Sequence, residues 1–475
     1  MSLISVPFFI FICVLLAVYY AVPRGHQWKV LLLASAIFYM AAGPVYIIFI
    51  AVSILTTWCL MRDPVKSHLI WTLVINLGLL VVFKYSVNFG IHDLIVPLGI
   101  SYYTFMTLGY ALDCYYKKVE PCESLAHYAL YIGYFPQLTQ GPIGTYGEMH
   151  DQLISPHDFD TDNLKKGGYR IIIGCFKKLV IAGRLAYYVD TVFDGPEHYG
   201  GLTLMVAIFF YLMELYADFS GYMDIVCGVS QMLGIRLKEN FLRPYLSRNV
   251  PEFWRRWHIS LMDWFNGHVF MPAVTSGWNR KLAKGLSKLF PKAKKGTLRT
   301  IFPMILVWFI TGLWHGAKVS YIAWGGYYAV IMLMSFCTMS YVKRFCELIR
   351  WNKDCTAARI FQVVRTFIIV AAGEIIYRSD SVADITAFFK NIITDTRISG
   401  SAVAAALEPF GNGNQAVASL MIIGVILLAQ FVVELAKEKD EKAFTGHRYI
   451  YALLMIVVTV LFGAAGRSNF MYQAF

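Results

Sequence analysis

Two histidines occupy settings in which an imidazole could do chemistry. His258 lies in Phe253-Trp254-Arg255-Arg256-Trp257-His258-Ile259-Ser260-Leu261, and His315 in Thr311-Gly312-Leu313-Trp314-His315-Gly316-Ala317. Imidazole titrates near neutral pH, so it can take a proton from a hydroxyl nucleophile and return it to a leaving group. Gly312 stands one turn before His315 and Gly316 directly after it, which would let another helix or a substrate approach the ring. On a continuous helix Trp254, Trp257, His258, Leu261 and Phe265 would share one face. Asn249 is placed to cap that helix, Pro251 is tolerated in its first turn, and Glu252 suits a reciprocal cap. Arg255 and Arg256 could hold a phosphate or a carboxylate. The competing role for each histidine is a hydrogen-bonded interior residue, and the aromatic, glycine-flanked surroundings bring the two readings level.

Other chemistries find little support. There is no P-loop and no glycine-rich loop after a strand, so nothing points to ATP-driven work. The nine cysteines are scattered without CxxC or CxxH spacing, and neither a disulfide nor a zinc site is demanded.

The elements that must carry these residues are membrane helices. The chain has 475 residues, 57% hydrophobic and only 15% charged, with mean hydropathy +0.54, whereas soluble domains carry about 25% charged residues. Uncharged runs occupy 3–22, 30–61 with a natural break at Gly43-Pro44, 67–83, 94–112, 319–342, 409–433 and 449–466. Roughly 20 apolar residues span the bilayer core as a helix, and backbone in lipid must satisfy its own hydrogen bonds. These runs lack the alternation of barrel strands. The expected fold is an all-α polytopic membrane protein with about eleven transmembrane helices plus re-entrant helices. The first run lacks a basic flank and a cleavage site, so it reads as a retained span. The segment 125–140 is short and interrupted by Pro136, then followed by Gly141-Pro142, as a re-entrant segment lining a cavity would be.

Charge locates the interesting part of the chain. The net charge is +12, and the stretch Arg280 to Arg299 holds eight basic residues and no acid. That pattern fits a membrane surface of anionic headgroups; nucleic acid is excluded because stacking aromatics are not interleaved there. Ionisable residues concentrate between about residues 160 and 320, among them Lys177, Lys178, Glu214, Asp218, Asp224, Arg243 and Arg255, where they would line an interior. Asp218 and Asp224 are expected to pair with Arg243 or Arg255. The spans beyond residue 320 are bland except for Glu374 and Arg378.

At the two histidine motifs the chain resembles the membrane-bound O-acyltransferase (MBOAT) family. VPLGISYYTF at 96–105, FPQLTQGPI at 135–143, YADFSGYMDIVCGVSQMLGIRLKENFLRPY at 216–245 and SNFMYQAF at 468–475 resemble its bacterial branch. The resemblance implies one domain over 1–475, with N-terminal spans 1–115, a core 116–345 holding both histidines, and C-terminal spans 346–475. It implies a bowl-like core pierced by a tunnel. His315 would be the catalytic base and His258 would assist. Trp254, Arg256, Trp257, Trp314 and Gly316 would line the tunnel, and Gln137 and Gln140 would line it or cap a broken helix. The donor would be a cytoplasmic acyl thioester, acetyl-CoA or another, with no tightly bound cofactor and no metal.

The resemblance further implies an extracytoplasmic polysaccharide or cell-wall glycan as acceptor, and acetyl as the group moved. Partners would be membrane lipids, a secreted or membrane-anchored acetyl-transfer protein, and an acyl carrier protein, in a bacterial cell (inner) membrane. D-alanyl transfer to lipoteichoic acid is the alternative; a transporter or channel is the non-enzymatic one. One departure stands out. Relatives generally continue the first motif as a WFRDY-like segment, whereas this chain reads Trp264-Phe265-Asn266-Gly267-His268. That puts the usual donor or carrier contacts in doubt and makes His268 a third candidate.

Overall fold

Every uncharged run named above that falls within the described residues is helical. The computed structural model describes residues 1–86, 96–289, 295–352, 355–395, 398–410, 414–444 and 446–464. Among these residues no strand occurs, and the one isolated bridge joins Phe241 to Trp257. Among the described residues six helices are long and apolar enough to cross a membrane: Lys66–Tyr85, Gly201–Met232, Gly296–His315, Val319–Leu348, Thr356–Arg378 and Val417–Lys439. Shorter apolar helices at Val6–Ala21, Tyr46–Met61 and Arg448–Phe462 add to them. The fold is all-α and multi-pass. The break expected at Gly43-Pro44 separates the helices Gln27–Met40 and Tyr46–Met61. The motif at 468–475 lies outside the described residues.

The contacts group the chain into two compact units. The first comprises Met1–Arg184, Glu214–Glu239 and Asp440–Phe475. Here the stretch 125–140 is broken as its sequence suggests, into Leu125–Gly133 and Phe135–Leu138, with the turn at Tyr134 before Pro136. Tyr134 ties that turn down by donating to Ser230 Oγ at 3.1 Å. Buried charge is paired, but with other partners than expected. Asp218 takes Lys178 at 2.6 Å, and Asp224 takes both Arg170 at 3.0 Å and Lys177 at 2.8 Å. Arg170 also reaches Glu239. The cations come from Thr161–Phe176 and from the π-helical turn Lys177–Ala182 that continues it. A π-turn widens the helix by one residue per turn, and here consecutive lysines find different carboxylates.

The second unit comprises Leu185–Met213 and Asn240–Lys439. It holds both histidine motifs. Helices Lys295–His315 and Val319–Leu348 pack closely in it. A Cβ on Gly325 would lie 2.5 Å from the Trp308 carbonyl oxygen and 3.4 Å from the Gly312 Cα. Glycines therefore let the two backbones touch. The partner that Gly312 admits is a helix.

The expected continuous helix through His258 does not form. Helix Val250–Arg256 ends before Trp257, and His258 adopts φ 47° as it caps the next helix, Ile259–Phe265. Trp254, Trp257 and His258 consequently do not share a face. Asn249 caps as expected by accepting from the Glu252 N–H at 2.9 Å, but the Glu252 carboxylate takes the N–H of Arg248 at 3.0 Å instead of closing the box on Asn249. Arg243, expected near the aspartates, pairs with Glu438 at 2.8 Å.

Candidate functional site

His315 ends its helix in an aromatic cage. It is 4% exposed, and its ring centroid lies 4.7 Å from Trp314, 5.1 Å from Trp324, 5.1 Å from Tyr377 and 6.0 Å from Tyr321. Trp324 and Tyr377 both stand nearly edge-on to the imidazole, at 85° and 84°. The turn that follows needs glycine. Gly316 has φ 147°, and a Cβ there would press on the Tyr321 ring at 3.2 Å.

One nitrogen of the imidazole has a defined partner. His315 Nδ1 lies 3.2 Å from the Tyr377 hydroxyl. Tyr377 belongs to the helix Thr356–Arg378, where Glu374 lies three residues earlier and so on the same side. Glu374 Oε1 accepts from Trp324 Nε1 at 3.3 Å. The end of that helix is fixed by Arg378, which reaches Asp190 Oδ1 at 3.0 Å. Two of the four rings around His315 are thus tied to one helix.

His258 is held by its backbone. Asn240 accepts the Ile259 N–H through its carbonyl at 3.0 Å and the Ser260 N–H through Oδ1 at 2.9 Å. Leu242 N–H donates to the Arg256 carbonyl at 2.9 Å. These bonds clamp the residues either side of His258 and keep it in the left-handed region, which costs a non-glycine residue about 1–2 kcal/mol. His258 lies outside the six spans and is 3% exposed. Burial pushes its pKa down to about 3, so the ring is uncharged at neutral pH. Its centroid is 6.4 Å from Trp314, which makes Trp314 the shared neighbour of both histidines.

The other residues singled out from the sequence have diverse surroundings. Trp254 packs 4.8 Å from Trp308 and Tyr328 and 5.7 Å from Trp324, the same indole that meets His315. Its buried Nε1 has no hydrogen-bond partner among the described residues. Trp257 turns elsewhere, toward Phe241 at 4.9 Å and Phe253 at 5.6 Å. Arg256 is engaged by Glu252 at 2.8 Å and Glu438 at 2.9 Å. His268 sits in the π-helical turn Asn266–Phe270, with Nδ1 3.1 Å from the Trp264 carbonyl and its ring over Trp264. Gln137 and Gln140 belong to the first unit. Gln137 Nε2 donates to the Pro142 carbonyl at 3.0 Å. Gln140 is fully buried, and its amide has no partner among the described residues.

Sequence reasoning missed Tyr377, Tyr321, Trp324 and Asn240. A signal for the first existed, because Tyr377 lies between Glu374 and Arg378, the ionisable residues in the last turns of its span. Among the described residues no group of three or more His, Cys, Asp or Glu side chains could hold a metal ion.

Fold and site together define a multi-pass α-helical membrane protein built round two buried histidines. The sequence pattern of MBOAT, the membrane-bound O-acyltransferase family, matches residues 122–290, which include His258. The chain is 30% identical over 400 residues to "Probable alginate O-acetylase AlgI" of Pseudomonas syringae pv. tomato, covering 78% of this chain and 71% of that protein. It is 32% identical over 298 residues to "Peptidoglycan O-acetyltransferase" of Helicobacter pylori, covering 55% and 53%. It is 31% identical over 291 residues to "Teichoic acid D-alanyltransferase" of Bacillus subtilis, covering 60% and 69%. The chain belongs to the membrane-bound O-acyltransferase family and is an acyltransferase.

Proposed function

We propose that this acyltransferase moves an acetyl group from a cytoplasmic thioester, acetyl-CoA or an acyl carrier, to hydroxyls of an extracytoplasmic polysaccharide or cell-wall glycan. His315 is the general base. It removes the hydroxyl proton as the oxygen attacks the thioester carbonyl; the C–O bond forms, the C–S bond breaks, and the leaving thiolate receives the proton from the imidazolium. A positioned base contributes about 10²–10⁴-fold to such a step. His258, uncharged and also near Trp314, assists as a neutral hydrogen-bonding ring. The observation that carries this reading is the burial of both motif histidines in one unit, with the Trp314 ring 6.4 Å from one and 4.7 Å from the other. The names of the relatives support acetyl and a glycan acceptor. In this reading the protein works in the bacterial plasma membrane, its basic stretch 280–299 facing anionic headgroups, and it delivers the acetyl group to the acceptor directly or through a secreted or membrane-anchored partner.

The test is extracytoplasmic glycan ester in cells carrying wild type, His315→Ala or His315→Gln at matched membrane expression. Loss of ester in both variants is expected. Retention in His315→Gln would favour a transport path and overturn the base. A second reading, D-alanyl transfer to teichoic acid, draws on the similarity to the Bacillus subtilis protein; it predicts D-alanine ester and no acetyl ester in the same cells.

A further inference from the structure

We infer that Tyr377 is the positioning residue for His315, acting through the imidazole Nδ1. The inference rests on His315 being the base. A neutral imidazole carries one N–H and one bare nitrogen, and which is which depends on the partner each finds. Nδ1 of His315 faces the Tyr377 hydroxyl at 3.2 Å and is therefore not the nitrogen that meets an incoming hydroxyl. A base needs its bare nitrogen on the reacting side. The productive arrangement has Nδ1–H donating to the phenol oxygen, which leaves Nε2 bare.

The phenol oxygen then serves the imidazolium as well. When Nε2 takes the acceptor's proton, positive charge spreads over the ring, and the oxygen dipole at Nδ1–H favours the charged form. Little has to reorganise at that moment, because the ring already packs against Trp324 and Tyr377, both nearly edge-on to it and 5.6 Å from each other. The geometry is kept from outside the site. Glu374 holds Trp324 through its indole N–H, and Arg378 pins the end of the same helix to Asp190. The phenol therefore stands where an orienting carboxylate stands in a catalytic triad, as a neutral and weaker acceptor.

The experiment uses the full-length protein in nanodiscs, with acetyl-CoA as donor probe and an alginate oligosaccharide or a peptidoglycan fragment as acceptor probe. Rates are read as thiol release dependent on the acceptor. Tyr377→Phe keeps the ring and removes only the oxygen. We expect kcat to fall at least about tenfold, a part of what a general base contributes, with KM unchanged and the acidic limb of the pH–rate profile moved to lower pH. Tyr377→Gln, which returns an acceptor oxygen, should recover part of the rate. Wild-type kcat and an unmoved limb in Tyr377→Phe would overturn the inference. So would a joint change in kcat and KM with a lowered melting temperature and no pH shift, since that is the mark of packing alone. His315→Gln separates the two levels: if it stays active, the base itself is wrong, whereas an inactive His315→Gln beside an unaffected Tyr377→Phe removes only the role of the phenol.

Discussion

Gly312 packs against Tyr321 so closely that a Cβ on the glycine would lie 2.6 Å from the tyrosine's carbonyl oxygen. The obstacle is backbone, which cannot swing aside as a side chain does. This contact sets the spacing between the helix that ends at His315 and the helix that supplies Tyr321 and Trp324 to its cage. Gly312→Ala should therefore destabilise by about 1–3 kcal/mol and lower activity beyond that, because the cage is displaced. Thermal midpoints by fluorescence-detected chromatography, alongside ester formation, test this. A stable, fully active Gly312→Ala would mean that the helix pair has slack.

The buried Lys178–Asp218 pair makes a different prediction. Removing one partner strands a charge and should cost about 3–5 kcal/mol, whereas replacing both with apolar residues should cost far less. Lys178→Met and Asp218→Leu are each expected to lower expression and melting temperature sharply. The double variant should recover most of the loss, and an additive double variant would show that the two charges do not depend on each other.

His258 can be separated from its backbone role. Asn tolerates the left-handed region better than most residues, so His258→Asn should keep the corner that Asn240 clamps and lose the imidazole. Near wild-type stability with strongly reduced ester is expected. Asn240→Ala should show the reverse emphasis: a buried Ser260 N–H without its acceptor costs about 1–3 kcal/mol, and activity falls with the fold.

The same residue gives a pH signature. His258 titrates at 6.5 in the unfolded chain and at about 3 when folded. Between these values the unfolded chain binds a proton that the folded protein excludes, so stability is whole above about 6.5 and declines as pH falls toward 3. His258→Asn lacks this liability. Its melting temperature should gain on wild type as the pH is lowered from neutral, and a gap independent of pH would mean that the imidazole is solvated.

The membrane class and the position of most helices were legible because hydrophobic runs act locally. A run such as 319–342 has no alternative to helix in lipid, and Gly43-Pro44 interrupts helix wherever it stands. The motif histidines were legible as candidates for the same reason: their neighbours in sequence are also neighbours on the helix or turn. Glycine next to His315 was read as room for a partner, and the structure supplies that partner in helix Val319–Leu348.

What the sequence could not supply was any relation between distant segments. The corner at His258 depends on Asn240, eighteen residues earlier, whose two acceptors stabilise a φ that local preference alone would reject. Asp218 and Asp224 announced that they needed cations, but the choice of Lys178, Lys177 and Arg170 over Arg243 and Arg255 follows from which helices pack. Tyr377 reaches His315 across 62 residues. By itself the sequence determined an all-helical membrane protein with two motif histidines and a resemblance to acyltransferases. The tertiary structure alone placed the Tyr377 hydroxyl at His315 Nδ1, because hydrogen-bond geometry across packed helices is carried by no single segment.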